Sequence, residues 1–378
     1  MGKLNELIPI IYKSFDKVNR GMPGMISSVY RDSSAEGVAI GQEIKFPVTS
    51  SKTPRDVVPG QNIPSYEGDA VGNRTLKITK QRATDIKWTG NELKSMMTLK
   101  QPILQDEFAQ CMETLMSEVE KDMCLTAVSG GLEGGHVIGT AGTSPFASNL
   151  NYLTETYKTL QDAKAPLTDL HYVLNTEASM NLRNLTQLQK LNESGGSLLR
   201  DSEIGRLFKF NLAESNELVK HTKGAGSGYL VNNASGVPAG SKVVPVDTGS
   251  GVLKAGDIVT FSGGTEKYVV AKQLEGAGNL ELTTGLLRQV GDNATITSEN
   301  DYTPCIAFDR NALWLATRTI PNPDGGDSAD DMQIVTDPVS GLSFMVSYYK
   351  EYHQERIEFA LAWGTGIIKP SNIVTLLG

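Results

Sequence analysis

The sequence predicts an α+β fold interrupted by an all-β insertion, and three observations predict it. Residues 103–128 carry one long helical stripe, residues 224–300 carry short strands and glycine turns with no helical period, and residues 356–378 alternate like strands. At 378 residues, 39% hydrophobic and 21% charged, the chain has enough apolar mass for two or three packed units. Its formal charge of −8 argues against a whole-protein affinity for nucleic acid or acidic membranes. Three cysteines, Cys111, Cys124 and Cys305, have neither metal-ligand nor disulfide-framework spacing and read as reduced, buried thiols. No apolar run approaches the roughly 18 residues of a membrane span.

From the start of the chain, Leu4, Leu7, Ile11, Phe15 and Val18 fall at helical spacing, an amphipathic helix that either joins the core or packs on a neighbour. EIKFPV (43–48) reads as a strand, and RTLKITKQRATDIKW (74–88) returns with period-two alternation. The proline-rich stretch Ser50 to Asn73 joins them, longer than the roughly 12–15 residues usual for an idle loop. Such a loop is either disordered or has a partner. Between 45 and 87, eight Lys or Arg face four acids, +4 in a chain that totals −8.

The helix 103–128 lines up Leu104, Phe108, Cys111, Met112, Leu115, Met116, Val119 and Met123. Pro102 suits its first turn, and Asp106 and Glu107 follow where the helix dipole favours acids. Twenty-six residues would span about 39 Å. Six acids against Lys121 give the presumed outer face a net −5, and GGLEGG (130–135) is read as its end. A helix near 151–163, a strand at 170–175, a helix near 176–188 and a strand–helix pair near 207–218 follow. From Gly224 to Asn300 the chain holds 14 of its 38 glycines among strand-like runs such as DIVTFSGG and NLELTT. This is a small β-barrel or sandwich set within another domain. CIAFDRNALWLATRTIP (305–321) resumes the α/β character, and Ile357, Phe359, Leu361 and Trp363 share one strand face before a last run, Ile373 to Leu377. A terminus built this way is expected to be locked into a sheet.

The signatures of chemistry are missing from the sequence. His136, His171, His221 and His353 show no ligand-like pairing, and there is no phosphate loop, dinucleotide fingerprint or G-x-S-x-G elbow. DGGDSADD (324–331) departs from the calcium-loop register and reads as a solvated loop. No catalytic residue, metal or cofactor is expected.

In their order, the N-terminal helix, the proline-rich hairpin Glu43–Trp88, the helix Ile103–Val128, GSLLRDSEIGRLFKFNLAESNELVKHTKG (196–224), LKAGDIVTFSGG, CIAFDRNALWLATRTIP and RIEFALAWGTGIIKP resemble one family. It is the major capsid (coat) protein of tailed bacteriophages, in the short-tailed-phage subgroup with an inserted β-domain. The resemblance implies an N-arm (1–37), an extended loop (38–88), a peripheral domain (89–149) with the spine helix, an axial domain (150–223 and 301–336), an inserted β-domain (224–300) and strands returning through both domains (337–378). It implies self-assembly as hexamers and pentamers into an icosahedral shell of a virion, formed in the host cytoplasm. Scaffolding and portal proteins would be partners, and double-stranded DNA would be enclosed without sequence-specific binding or a membrane. A basic arm and an acidic spine then suggest contacts between copies, with Lys77, Lys80, Arg82 or Lys87 meeting Glu113, Glu118, Glu120 or Asp122 of a neighbour. The alternatives are a hydrolase with an appended β-sandwich binding module, or a non-viral compartment shell protein.

Overall fold

Two six-stranded sheets share one long helix. The computed structural model describes residues 3–18, 24–48, 72–96, 100–185, 188, 205–323 and 326–378. The chain begins with α1 (Lys3–Phe15) and α2 (Gly24–Ser28), then β1 (Tyr30–Gly37), β2 (Glu43–Val48), β3 (Gly72–Lys77) and β4 (Lys80–Thr89). After α3 (Gly90–Met96) comes α4 (Lys100–Glu133), 34 residues, about 51 Å of spine. Next are β5 (His136–Gly139), α5 (Asn151–Asp162), β6 (Leu170–Leu174), α6 (Thr176–Asn184), β7 (Arg206–Leu207) and β8 (Phe210–Glu214).

Eight short strands follow: β9 (Leu230–Val231), β10 (Val243–Asp247), β11 (Val252–Leu253), β12 (Ile258–Phe261), β13 (Lys267–Val269), β14 (Leu274–Glu275), β15 (Gly278–Glu281) and β16 (Ile296–Ser298). They form three small sheets, β15–β10–β9, β11–β14 and β13–β12–β16, around a core of their own that includes Tyr229, Val244, Phe261, Tyr268 and Leu280. The two connections into this module run side by side, with His221 and Tyr302 exchanging backbone hydrogen bonds. The chain ends with β17 (Pro304–Asp309), β18 (Leu313–Thr319), β19 (Asp331–Thr336), β20 (Ser343–Glu351), β21 (Gln354–Ile367) and β22 (Ile373–Leu377).

β21 is the hub of the first sheet. Its residues 354–360 pair with β20, 354–363 with β4 and 362–367 with β18, while β1 lies parallel to β18 and β19 closes the far side. The second sheet runs β5–β22–β17–β6–β8–β7. Residues 357–363 of β21 alternate faces yet are almost all buried: on one side Ala362 packs with Val38, Leu76 and Ile78, and α4 covers the other, where Phe108 meets Phe359 at 5.5 Å. The apolar stripe read from the sequence is the face that does this. α1 packs Leu4, Ile11 and Phe15 into the same core, so in this chain it is a core helix.

The last strand sits between β5 and β17, every residue buried. Residues 309–313 and 367–373 cross between the sheets together, tied by Ile368 N–H to the Ala312 carbonyl at 2.9 Å. The terminal strand thus couples the two sheets.

The structure revises several expectations. α4 runs beyond 103–128 in both directions and continues through Gly130 and Gly131 before ending at Gly134. A Cβ on Gly131 would stand 2.0 Å from Thr375 Oγ1, so the glycines serve close packing on β22 more than helix termination. The segment near 207–218 is a β7–β8 hairpin without a helix. Phe208 and Lys209 turn with positive φ, and the Ser215 hydroxyl accepts the Glu217 N–H, bending the chain where a helix would begin. The strand read from the sequence at 74–88 is divided, because residues 80–89 pair with β21 along their whole length, with Ile86 and Trp88 buried. The Ser50–Asn73 stretch lies outside the described residues up to residue 71.

Candidate functional site

The arm begins where the chain leaves the first sheet. β2 and β3 pair with each other from Glu43↔Lys77 to Val48↔Gly72 and with no other strand among the described residues. Alternation puts Ile44, Phe46 and Val48 on one half-buried face and Glu43, Lys45 and Pro47 on the exposed one. At the root, Leu76 is 1% exposed and packs with Val38, Ile78, Ala316 and Ala362. Phe46 meets the Trp314 ring edge-on at 4.1 Å.

Of the +4 carried by residues 45–87, residues 45–77 hold +2, five cations against three acids, and the other +2 comes from Lys80, Arg82 and Lys87 against Asp85, which lie in the body sheet.

These cations find partners within the chain. Lys80 Nζ lies 2.8 Å from Asp122 Oδ1 and 3.3 Å from Glu118 Oε1, and Arg82 Nε lies 3.2 Å from Glu118 Oε1. Asp122 also accepts the Trp363 indole N–H at 2.9 Å, with Lys80 6.0 Å above that ring. The Asp122 hydrogen bond raises the Lys80 pKa against the opposing effect of burial. Glu118 and Asp122 share a helix face because they are one turn apart. They therefore form a joint two-layer clamp holding β4 and β21 on α4. Lys80 and Arg82 thus have same-chain partners, because β4 lies directly over the spine.

The remaining four residues divide. Lys77 pairs with Glu43 directly opposite at 2.9 Å, and Lys87 with Asp85 on the same strand face at 3.3 Å. Glu113 is half-buried and has no ion-pair partner among the described residues. Glu120 is not on the outer face at all. It is 1% exposed and accepts the backbone N–H groups of Met25 at 2.7 Å and Ile26 at 2.9 Å. Two residues from Glu118 is about 200° around a helix, which points Glu120 into the core.

Two histidine–carboxylate pairs have the geometry from which a general base is built. His171 Nε2 is 2.9 Å from Asp169, and His221 Nε2 is 2.8 Å from the buried Asp257. Neither ring is hydrogen-bonded to a Ser, Thr or Cys side chain among the described residues. Burial lowers the His171 pKa in spite of Asp169. Asp257 instead clamps the entry of the β-module, accepting from Gly224 and Lys254 N–H groups at 3.0 and 2.8 Å. In 324–331, residues 324 and 325 lie outside the described residues. Asp327 accepts the Tyr349 hydroxyl, Asp330 pairs with Lys350, and Asp331 accepts the Leu4 N–H. No group of three or more His, Cys, Asp or Glu fit to hold a metal occurs among the described residues. No described helix is long and apolar enough to cross a membrane.

No family model and no curated protein matches the chain. Solved structures do. The Mycobacterium phage Che8 structure aligns over 97% of this chain and 90% of its own, at 14% identity and TM-score 0.44. The capsid of a native GTA particle aligns over 95% and 91%, at 9% identity and TM-score 0.47. The virus-like particle of Pyrococcus furiosus aligns over 97% and 96%, at 11% identity and TM-score 0.42. At such scores these likenesses carry no functional weight, which rests on the geometry above.

Proposed function

We propose that this chain is a shell-forming major capsid protein of the tailed-phage type, a structural subunit that assembles with its own copies as hexamers and pentamers. The observation that carries this reading is the arm. A two-stranded hairpin is marginally stable alone in water. Here β2 and β3 leave the body with Ile44, Phe46 and Val48 along one half-covered face, and the described body supports them at the root. A second copy is the natural surface for the rest of that stripe. The spine, the two sheets and the terminal strand between them give the body the stiffness such a contact needs.

Lys77, Lys87 and Glu113 remain in this reading as residues facing a neighbouring copy, while Lys80, Arg82, Glu118, Glu120 and Asp122 act within the chain. Exposed pairs contribute at most about 1 kcal/mol each, and repetition over a closed surface makes them sufficient. The −8 charge suits a wall around double-stranded DNA that it encloses without binding tightly. Scaffolding and portal proteins, a place in the virion and assembly in the host cytoplasm belong to the same reading.

Sedimentation velocity and negative-stain electron microscopy of the purified chain test it. Closed shells, tubes or sheets of hexamers are expected. A chain that stays monomeric when concentrated, and with candidate scaffolding protein added, overturns the reading.

A further inference from the structure

We infer that the turn between β7 and β8 is a knob that seats in a cleft of a second copy of this chain, with Phe208 entering between the spine helix and the β-module. The inference rests on the shell-forming reading above and gives it a specific contact between neighbouring copies.

The cleft holds about 340 Å³ where α4, the chain after β8 and the β-module meet. Leu125, Val128 and Leu132 fall on one face of α4 and form one wall, with Val219 and Val270 elsewhere in the lining. Leu125 and Val219 are each more than half exposed, apolar surface that a single copy leaves in water. Glu133 and Glu217 also line the cleft. Each accepts a serine hydroxyl, from Ser129 and Ser117 respectively, and neither has an ion-pair partner among the described residues. Lys220 lines it as well, but is already paired with Asp301 at 3.3 Å. Such a cleft suits an apolar side chain with cations beside it.

The hairpin presents that combination. Arg206↔Asn211 and Leu207↔Phe210 pair, leaving Phe208 and Lys209 as a two-residue turn with φ of 46° and 68°. Turns with two left-handed central residues ordinarily take Asn and Gly. Here a bulky ring holds one of those places and stands almost half exposed. Arg206 and Lys209 are exposed near it, in no ion pair among the described residues. An aromatic ring beside two cations matches the cleft in polarity and in charge.

Knob and cleft lie at opposite ends of β8. The turn enters the strand at Phe210, and the chain leaves Glu214 for the cleft, about 13 Å further on. Because β8 pairs with β6 from Leu170↔Phe210 to Leu174↔Glu214, a chain cannot fold its own knob into its own cleft. The occupant is therefore a second copy. Unlike surfaces that meet in this way make a head-to-tail contact, the kind that closes into rings.

Carbodiimide coupling of the assembled wild-type chain, prepared as an equal mixture of isotopically light and heavy protein, tests the contact. Lys209 should be joined to Glu133 or Glu217 in mixed light–heavy peptide pairs. Phe208→Asn suits the turn and removes the ring. It should keep the wild-type thermal midpoint and raise the concentration at which assembly begins by roughly tenfold or more. Lys209→Glu should also raise it, and Glu133→Lys in the same chain should recover most of the loss. Wild-type shells or sheets without the mixed pairs overturn the inference and leave the shell reading standing, as does a Phe208→Asn chain that assembles at the wild-type concentration. If Leu125→Glu blocks assembly while Phe208→Asn does not, the cleft has another occupant and the inference is likewise overturned. A wild type that never assembles is a separate failure, that of the shell reading itself, and removes this contact with it.

Discussion

Replacing Gly364 by alanine tests whether the root of the arm is wedged onto the body sheet. A Cβ at that position would stand 2.0 Å from the Lys77 carbonyl oxygen and 3.0 Å from a Leu76 methyl carbon. Carbon–oxygen contacts settle near 3.3–3.6 Å, so the root must retreat by more than about 1 Å. That retreat breaks the hydrogen bond from Thr79 N–H to the Trp363 carbonyl, now 3.0 Å, at about 1 kcal/mol. It also begins to expose Leu76, whose full burial contributes about 1.5–3 kcal/mol. Against this, alanine recovers about 0.5–1 kcal/mol of backbone entropy in a strand. With about half of the Leu76 contribution lost, the net expectation is a loss of about 1–2 kcal/mol, read as a lower urea midpoint together with faster thermolysin cleavage in the arm. Gly72→Ala at the far end of β3 is the control. Its nearest atom is the Val48 carbonyl oxygen at 3.4 Å, an ordinary contact, and the change should stay within about 0.5 kcal/mol. A Gly364→Ala chain with the wild-type midpoint and the wild-type cleavage rate would refute the wedge.

Three further outcomes follow from the same geometry. Lys80→Glu combined with Arg82→Glu sets two new anions against Glu118 and Asp122 in a partly solvated site. The dilute, unassembled chain should lose about 1–2 kcal/mol, partly restored by salt; a chain that fails only in assembly would show that the clamp acts between copies instead. Asp257 is held below the usual carboxylate range because the Lys254, Gly224 and His221 donors outweigh its burial. The stability it lends is present above about pH 3.8 and lost as pH falls through its lower folded value, and Asp257→Asn should cost about 1–3 kcal/mol, seen as lost exchange protection between 229 and 296. Burial pushes Cys111 up to about 11 and Cys305 up to about 12, so a thiol reagent at pH 8 should label the native chain only as fast as it unfolds.

How much of this was legible depends on whether the signal is local. The stripe from Leu104 to Met123 needs only the helical period, and the structure buries those residues against β21 and α1. The inward turn of Glu120 was legible by the same rule, because it lies four residues after Met116 and four before Cys124, on the stripe itself. Charge drew it to the outer face in the sequence reading. The alternation from Ile357 to Trp363 and the run Ile373–Leu377 likewise announce strands. Their partners do not follow from them. An alternating pattern specifies a buried face and says nothing about which strand lies alongside, so the place of β22 between a parallel β5 and an antiparallel β17 came from the tertiary structure. The extent of the arm came from there too. Residues 74–88 alternate continuously, and what divides them at Ile78 is that β4 has β21 to pair with and β3 does not. The partners of Lys80 and Arg82 were decided in the same way. Their charge was visible in the sequence, and it took the packing of β4 across α4 to bring Glu118 and Asp122, some forty residues away, within hydrogen-bond reach.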